Sequence, residues 1–207
     1  VVGFNLVQPE DHRVAMRDYS LHMRIIQQLS RHYPDVPVTL HAGELWEGLV
    51  PTEGLRFHVR EAVEGAGARR IGHGVDILLE DRPYELLRRM ARDRVMVEIN
   101  LTSNDVILGV SGAAHPLATY LEHGVPTALT TDDEGVSRSE MTREYVKGVR
   151  EQGLDYATLR AMTRNSLEYA FVEGASVWAA AATWTPVPAC ASGAGGWSGA
   201  SCVRWAE

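Results

Sequence analysis

The stretch VPVTLHAG, residues 36–43, decides the fold, because it is almost entirely apolar until it reaches a histidine near its end. A near-continuous apolar run is typical of a parallel strand that is covered on both faces, whereas in a half-exposed strand apolar and polar residues alternate. Four more runs of this kind occur along the chain: VVGFNLV (1–7), RIGHGV (70–75), VMVEINL (95–101) and VPTALTT (125–131). The sequence therefore predicts five parallel strands.

Amphipathic segments separate these runs and predict helices. In the first segment, apolar residues recur at helical spacing at Val14, Leu21, Ile25 and Leu29. Helix starts are indicated at Thr52, at Asp81 with Pro83, at Ser137 with Glu140, and at Asp155. Alternating strands and helices predict a parallel α/β fold, either an open doubly wound sheet or a barrel. A complete (β/α)8 barrel needs about 250 residues, so five units are too few to close one.

The composition is typical of a soluble globular protein with a sizeable core, since 45% of the 207 residues are hydrophobic and 23% are charged. A net charge of −7 argues against a nucleic-acid partner. No apolar stretch approaches the roughly 20 residues of a membrane helix. The first residues lack a basic region and are no signal peptide, which favours the cytoplasm. They resemble a strand cut from a longer protein.

The C-terminal tail differs from the rest. Residues 179–207 are rich in alanine, hold three of the five tryptophans and show neither helical nor strand periodicity. We therefore predict one folded domain over residues 1–178 and a low-complexity tail over 179–207 that is disordered or translated out of frame. Cys190 and Cys202, both in this tail, provide neither a disulfide framework nor a zinc quartet.

Polar clusters fall at the C-terminal ends of three predicted strands, where parallel α/β folds build their sites. Two imidazoles and a carboxylate suit Zn²⁺, and a carboxylic acid three residues beyond a metal-binding histidine can shuttle protons. Each cluster also has a structural interpretation as a hydrogen-bonded strand end, a turn or a helix cap. Their shared position favours a site. The clusters contain His41 and Glu44, His73, and Asp132 and Asp133.

Several motifs, in this order and spacing, resemble the adenosine/AMP deaminase family of metal-dependent hydrolases. They are VTLHAGE (38–44), RIGHGV (70–75), INLTSN (99–104) and TTDDEGVSRSEMTREY (130–145). VVGFNLVQPED (1–11) resembles the family's fourth strand and RNSLEYAF (164–171) its late helix. The resemblance covers residues 1 to about 178. It implies a (β/α)8 barrel of which this chain would hold about strands four to eight.

The resemblance further implies one catalytic Zn²⁺ and hydrolysis of the 6-amino group of adenosine or AMP. His41 and Asp132 match zinc ligands, and Asp132 would be the last residue of its strand. Glu44 matches the proton donor to purine N1, and His73 the histidine that positions and helps deprotonate the zinc-bound water. Substrate contacts are assigned on the same basis to Gly43, Asp133 and Gln8, although Gln8 stands where the family has a glycine.

One departure bears on activity. The family also needs a His-x-His pair on its first strand, and no such pair occurs in this sequence. Two protein ligands fall short of the three or more that are usual in catalytic zinc sites, so we expect the 207 residues alone to be inactive or poorly active. The alternatives are a non-catalytic relic or binding module of the same fold, or another metal-dependent amidohydrolase.

Other residues have less specific predictions. No arginine-rich phosphate cradle is evident, which favours adenosine over AMP as the substrate. His58 and His115 are interpreted as surface or capping residues. Ser103 and Asn104 are expected either to shape the mouth of the site or to serve as turn and cap residues.

Overall fold

Four of the five predicted strands form one parallel sheet in the computed structural model, which describes residues 1–181, 183–191 and 202. The strands are β1 (Thr39–Ala42), β2 (Arg70–His73), β3 (Met96–Ile99) and β4 (Thr127–Leu129), and they neighbour one another in chain order. The register places His41 opposite Gly72 and Ala42 opposite His73. All four C-terminal ends therefore open onto the same edge of the sheet.

The first apolar run differs from its prediction. Residues 1–7 form no full strand, and only Phe4 pairs with the sheet, through a parallel bridge to Val38. Three valines of this run (Val1, Val2 and Val7) are exposed. The run thus lacks the two-sided burial that its apolar character suggested.

Helices connect and cover the strands. The helix starts at Pro83 and Asp155 agree with the predicted ones. The predicted start at Ser137 is wrong, because Ser137 ends one short helix and the next begins at Met141 with Glu140 as its N-cap. A 3₁₀ turn over Thr52–Leu55 precedes α2, which continues as a π turn over Glu61–Gly65. The helices are α1 (Arg13–His32), α2 (His58–Arg60), α3 (Pro83–Asp93), α4 (Leu101–Leu108), α5 (Leu117–Glu122), α6 (Glu134–Ser137), α7 (Met141–Gln152) and α8 (Tyr156–Glu168). Further 3₁₀ turns cover Ile77–Leu79 and Gly112–Ala114.

Helix α1 packs with a different face from the one that its large apolar residues suggest. The buried residues of the helix are Ala15, Tyr19, Met23 and Ile26. The exposed apolar residues are Val14, Leu21, Ile25 and Leu29. Both sets have helical spacing, so periodicity predicted the helix without deciding which face would be covered.

The chain divides into two compact units near residue 170. In the second unit, β5 (Trp178–Ala180) pairs antiparallel with β6 (Thr185–Pro186), a 3₁₀ turn covers Pro188–Cys190, and Cys190 is disulfide-bonded to Cys202. Much of the predicted tail, residues 182, 192–201 and 203–207, lies outside the described residues. The division at 178/179 and the out-of-frame interpretation remain predictions. Among the described helices, none has the length and apolarity needed to cross a membrane.

Candidate active site

Strands β1 and β2 and the loop after β4 bring His41, His73 and Asp132 together. One nitrogen or carboxylate oxygen of each lies within 4.8 Å of those of the other two. The centroids of the two imidazole rings are 5.1 Å apart. The three residues line a cavity of about 250 Å³ together with Gly72, Glu98, Asn100, Thr130 and Thr131. The structure therefore places these side chains where the parallel strand ends were expected to meet.

Asp132 reaches this cavity from a different backbone position than the sequence suggested. Strand β4 ends at Leu129, so Asp132 lies beyond the strand, in the left-handed conformation with φ 55°. Its Oδ2 accepts a hydrogen bond of 2.7 Å from the Ser103 hydroxyl. Aspartate tolerates this region better than most residues, which allows the chain to turn its carboxylate inward.

Asp133 lies at the start of α6. Its carbonyl oxygen accepts hydrogen bonds from the amides of Val136 and Ser137, each 2.9 Å long, and the residue is exposed. The structure thus shows a backbone role for Asp133. Its predicted side-chain contact with a purine ring stays a prediction.

A buried carboxylate, that of Glu10, holds the turn that carries Glu44. Glu10 Oε1 accepts from the amide of Gly43 at 2.9 Å, and Oε2 accepts from the amide of Glu44 at 2.8 Å. Oε1 also lies 2.5 Å from Nδ1 of His58. His58 is fully buried rather than a surface residue, which corrects the sequence interpretation. Glu10 was missed because a lone acid before a helix has no distinctive pattern.

Gly43 is required by the backbone of the same turn. It adopts φ 75°, and a Cβ at this position would collide with a carboxylate oxygen of Asp76. Asp76 is itself buried, and burial, with the negative charge of Glu10 adding to it, raises its pKa well above the usual range. The turn therefore accepts only glycine without rearrangement.

Glu44 lies beside His73 in a partly buried position. Its side chain is 16% exposed, and its Oε1 lies 3.5 Å from Nδ1 of His73. Burial raises the pKa of Glu44 to about 7, and the negative charge of Asp132 contributes next. A carboxylic acid that keeps its proton near neutral pH can serve as a general acid.

His73 is held by two asparagines. Nδ1 of His73 lies 2.9 Å from Nδ2 of Asn104 and 3.3 Å from Nδ2 of Asn100. Burial lowers the pKa of the ring to about 4. His115 packs behind Asn104, with its Nε2 3.1 Å from Asn104 Oδ1, and is buried rather than on the surface. The INLTSN motif pointed to Asn104, but nothing in the sequence linked it to His115.

Gln8 is not among the residues that line the His73 cavity. It lines a separate small recess that also includes His41, Leu6 and Glu10. Its assignment as a substrate contact stays a prediction.

The donor set fits a divalent metal ion. Neutral imidazole nitrogen and carboxylate oxygen are ligand types that Zn²⁺ accepts, and the atoms of His41, His73 and Asp132 are close enough to share one ion. His41 and Asp132 are the ligands that the family resemblance implies. The role of His73 depends on which of its nitrogens carries the proton.

Comparison with known proteins supports this picture. The sequence profile of the adenosine deaminase family matches residues 1–177. An adenosine deaminase of Yersinia pseudotuberculosis (serotype O:1b, strain IP 31758) is 38% identical over 136 residues, covering 65% of this chain and 37% of the relative. The chain thus spans little more than a third of the length of such relatives.

Several solved structures are similar to this chain, and two of them illustrate the range. The N6-methyl-AMP deaminase of Arabidopsis thaliana is 28% identical with a TM-score of 0.55, over 70% of this chain and 39% of that protein. An amidohydrolase of Burkhoderia ambifaria with bound Zn is 20% identical with a TM-score of 0.62, over 84% of this chain and 44% of that protein. The second likeness shows the fold alone.

Proposed function

This chain belongs to the adenosine deaminase family, and we propose that it carries part of a zinc-dependent hydrolase that deaminates adenosine or a related 6-aminopurine nucleoside. The observation that carries the proposal is the meeting of His41, His73 and Asp132 around one cavity, with Glu44 beside them. The family match over residues 1–177 supports the reaction class.

The four-stranded sheet is proposed to be part of a (β/α)8 barrel. In this assignment the Phe4 segment and β1 to β4 correspond to strands four to eight. The parallel strand order and the similarity in fold to a zinc-containing amidohydrolase support it. The ends of these strands would form one side of the barrel mouth.

Zinc is the proposed cofactor, held in this chain by His41 and Asp132. When bound, such an ion lowers the pKa of water and so supplies hydroxide near neutral pH. The match of residues 1–177 to the adenosine deaminase family supports this choice of metal, because the family resemblance implies one catalytic zinc. The donor types present are ones that Zn²⁺ accepts.

The side chains of this chain would act on the purine as follows. Glu44, still protonated near neutral pH, donates to purine N1 as water adds at C6. Asp133 accepts a hydrogen bond from the ring, and His73 orients the oxygen that is added at C6. The C6–N6 bond then breaks. One proton of the added water goes to the amino group, which leaves as ammonia, the other returns to Glu44, and the product carries a 6-oxo group.

Adenosine is proposed as the substrate in preference to AMP. None of the described residues that line the cavity is an arginine or a lysine, so the cavity offers no cation to a phosphate. The 38% identity to an adenosine deaminase supports the same choice. The similarity to an N6-methyl-AMP deaminase makes the nucleotide the substrate to test beside it.

A second candidate is a non-catalytic binding module of the same fold. The absence of a His-x-His pair from the sequence favours it, because two protein ligands hold a zinc ion weakly. We expect the 207 residues alone to bind zinc weakly and to release little ammonia from adenosine.

The experiment joins this chain to the N-terminal part of the Yersinia adenosine deaminase that it does not match. With Zn²⁺, we expect the chimera to release ammonia from adenosine, and Glu44→Gln to lower kcat about 10²–10⁴-fold with zinc content unchanged. Glu47→Gln, at an exposed position three residues on, is the matched control and should keep kcat. A folded, zinc-loaded chimera without activity would favour the binding module, and full activity in Glu44→Gln would remove Glu44 from its role.

A further inference from the structure

A buried chain of hydrogen bonds runs from the start of α5 to His73. The amide of Leu117 donates to Nδ1 of His115 over 3.2 Å. Nε2 of His115 lies 3.1 Å from Oδ1 of Asn104, and Nδ2 of Asn104 lies 2.9 Å from Nδ1 of His73. His115, Asn104 and His73 are 3%, 0% and 1% exposed, so water does not compete for these contacts.

The backbone amide of Leu117 fixes which group donates and which accepts in each of these hydrogen bonds, because a peptide N–H can only donate. Nδ1 of His115 must therefore accept, which leaves the proton of its neutral ring on Nε2. That proton is donated to Oδ1 of Asn104, so the NH₂ group of Asn104 faces His73. Nδ1 of His73 must then accept as well, and the single proton of its neutral ring lies on Nε2.

A second amide agrees with this direction. The Thr130 hydroxyl is hydrogen-bonded to Oδ1 of Asn100, and Nδ2 of Asn100 lies 3.3 Å from Nδ1 of His73. Because a hydroxyl can also accept, the direction itself is fixed by the Leu117 amide. Burial lowers the pKa of His115 to about 4, which agrees with a neutral ring near neutral pH.

We infer that Asn104, oriented by His115, is a positioning residue that keeps the imidazole proton of His73 on Nε2, the nitrogen left to face the cavity. Among the described residues, no hydrogen bond to Nε2 of His73 is found. The ring therefore presents a hydrogen-bond donor to whatever occupies the cavity.

This assignment changes the expected role of His73, in a step that rests on the proposed function. A ring with its proton on Nε2 has no lone pair there, so it can neither ligate a metal through that atom nor take a proton from water. His73 would instead donate to the oxygen that is added at C6. His41 and Asp132 would be the metal ligands, and His73 would not be a third one.

The test reads the position of the proton directly. A two-bond ¹H–¹⁵N correlation spectrum of the ¹⁵N-labelled 207-residue protein, recorded near neutral pH without added metal, separates the two neutral tautomers from the charged ring. We expect the Nε2–H pattern for His73, whose signal is assigned by its loss in His73→Asn. His123 is an internal reference for the opposite tautomer, because its Nδ1 lies 2.9 Å from the carbonyl oxygen of Thr119.

Substitution of Asn104 tests the cause. Asn104→Asp keeps the shape but turns an oxygen towards Nδ1 of His73, so we expect the His73 signal to change to the Nδ1–H or doubly protonated pattern. His115 should keep its Nε2–H pattern. Asn165→Asp is the matched control, since the buried Asn165 amide donates to the carbonyl oxygen of Thr127 and should leave His73 unchanged.

Two results would overturn the inference. One is a wild-type His73 signal with the Nδ1–H or charged pattern, which decides the matter even if Asn104→Asp does not fold. The other is a folded Asn104→Asp variant with an unchanged His73 signal. Because neither metal nor substrate is present, failure of the proposed deaminase activity would not alter these readings.

Discussion

The turn after β1 and the loop after β4 each bring an acid close to His73, but the chain holds the two acids very differently. In the turn, the buried Glu10 carboxylate accepts from the amides of Gly43 and Glu44 and also contacts His58. In the loop, the Asp132 carboxylate has one hydrogen bond, from Ser103, among the described residues.

This difference separates two ways of building a site. The turn is preorganised by its own fold, so the Glu44 carboxyl is in place before any ligand arrives. The loop continues into residues 133–136, which are all exposed. The positions of its aspartate side chains therefore depend more on what binds in the cavity. Substitutions in the turn should cost more stability than substitutions in the loop.

The largest expected effect is at Glu10. Glu10→Ala leaves the amides of Gly43 and Glu44 and Nδ1 of His58 without their acceptor in a buried region. We expect the free energy of unfolding to fall by about 3–5 kcal/mol, measured by urea denaturation. Glu53→Ala, at an exposed position, is the control and should change it by less than about 0.5 kcal/mol. A loss of under 1 kcal/mol at Glu10 would erase the contrast between the two regions.

The next largest effect is expected at Glu44, whose contribution to stability should depend on pH. Its pKa is about 7 in the folded protein against 4.5 for the ordinary group, so the unfolded chain loses this proton first as pH rises. The stability contributed by the protonated group is complete below pH 4.5 and is lost by about pH 7. Glu44→Gln cannot ionise and so lacks this loss. Between pH 4.5 and about pH 7, the free energy of unfolding of the variant should therefore rise relative to that of wild type by about 1–2 kcal/mol, after allowance for partial solvent exposure.

Urea denaturation at several pH values between 4 and 8 measures this difference. Parallel stability curves for wild type and Glu44→Gln would show that the turn does not raise the pKa of Glu44. The measurement is made on the metal-free protein, because a bound cation would stabilise the carboxylate.

The smallest expected effect is at Ser103. Ser103→Ala removes the hydrogen bond to Asp132, but water can reach this half-buried carboxylate and replace the hydroxyl. We expect a loss of about 0.5–1 kcal/mol in the same denaturation assay. A loss as large as that of Glu10→Ala would mean that the loop is held as firmly as the turn.

The closeness of His41 and His73 has a physical reason that the sequence already reveals. His41 and His73 lie at the ends of parallel strands, and parallel strand ends must share one edge. Asp132 was expected to end its strand, but the strand stops three residues earlier. The apolar run over residues 125–131 does not reveal that the strand stops at Leu129.

The buried polar residues were harder to predict. His58 and His115 were interpreted as surface or capping residues, because an isolated histidine has no periodic neighbours that reveal its burial. His115 does cap α5 through Leu117, but from inside the protein. The partners of both histidines, Glu10 and Asn104, are brought to them by the fold.

The backbone conformations of this site also limit how it could be transplanted. Gly43, His73 and Asp132 all have positive φ, at 75°, 73° and 55°. Idealised scaffolds used in protein design avoid such angles outside glycine. A graft that copied only the side chains onto regular strands would therefore aim them elsewhere. A designer would have to import the three irregular strand endings as whole segments, together with the residues that brace them.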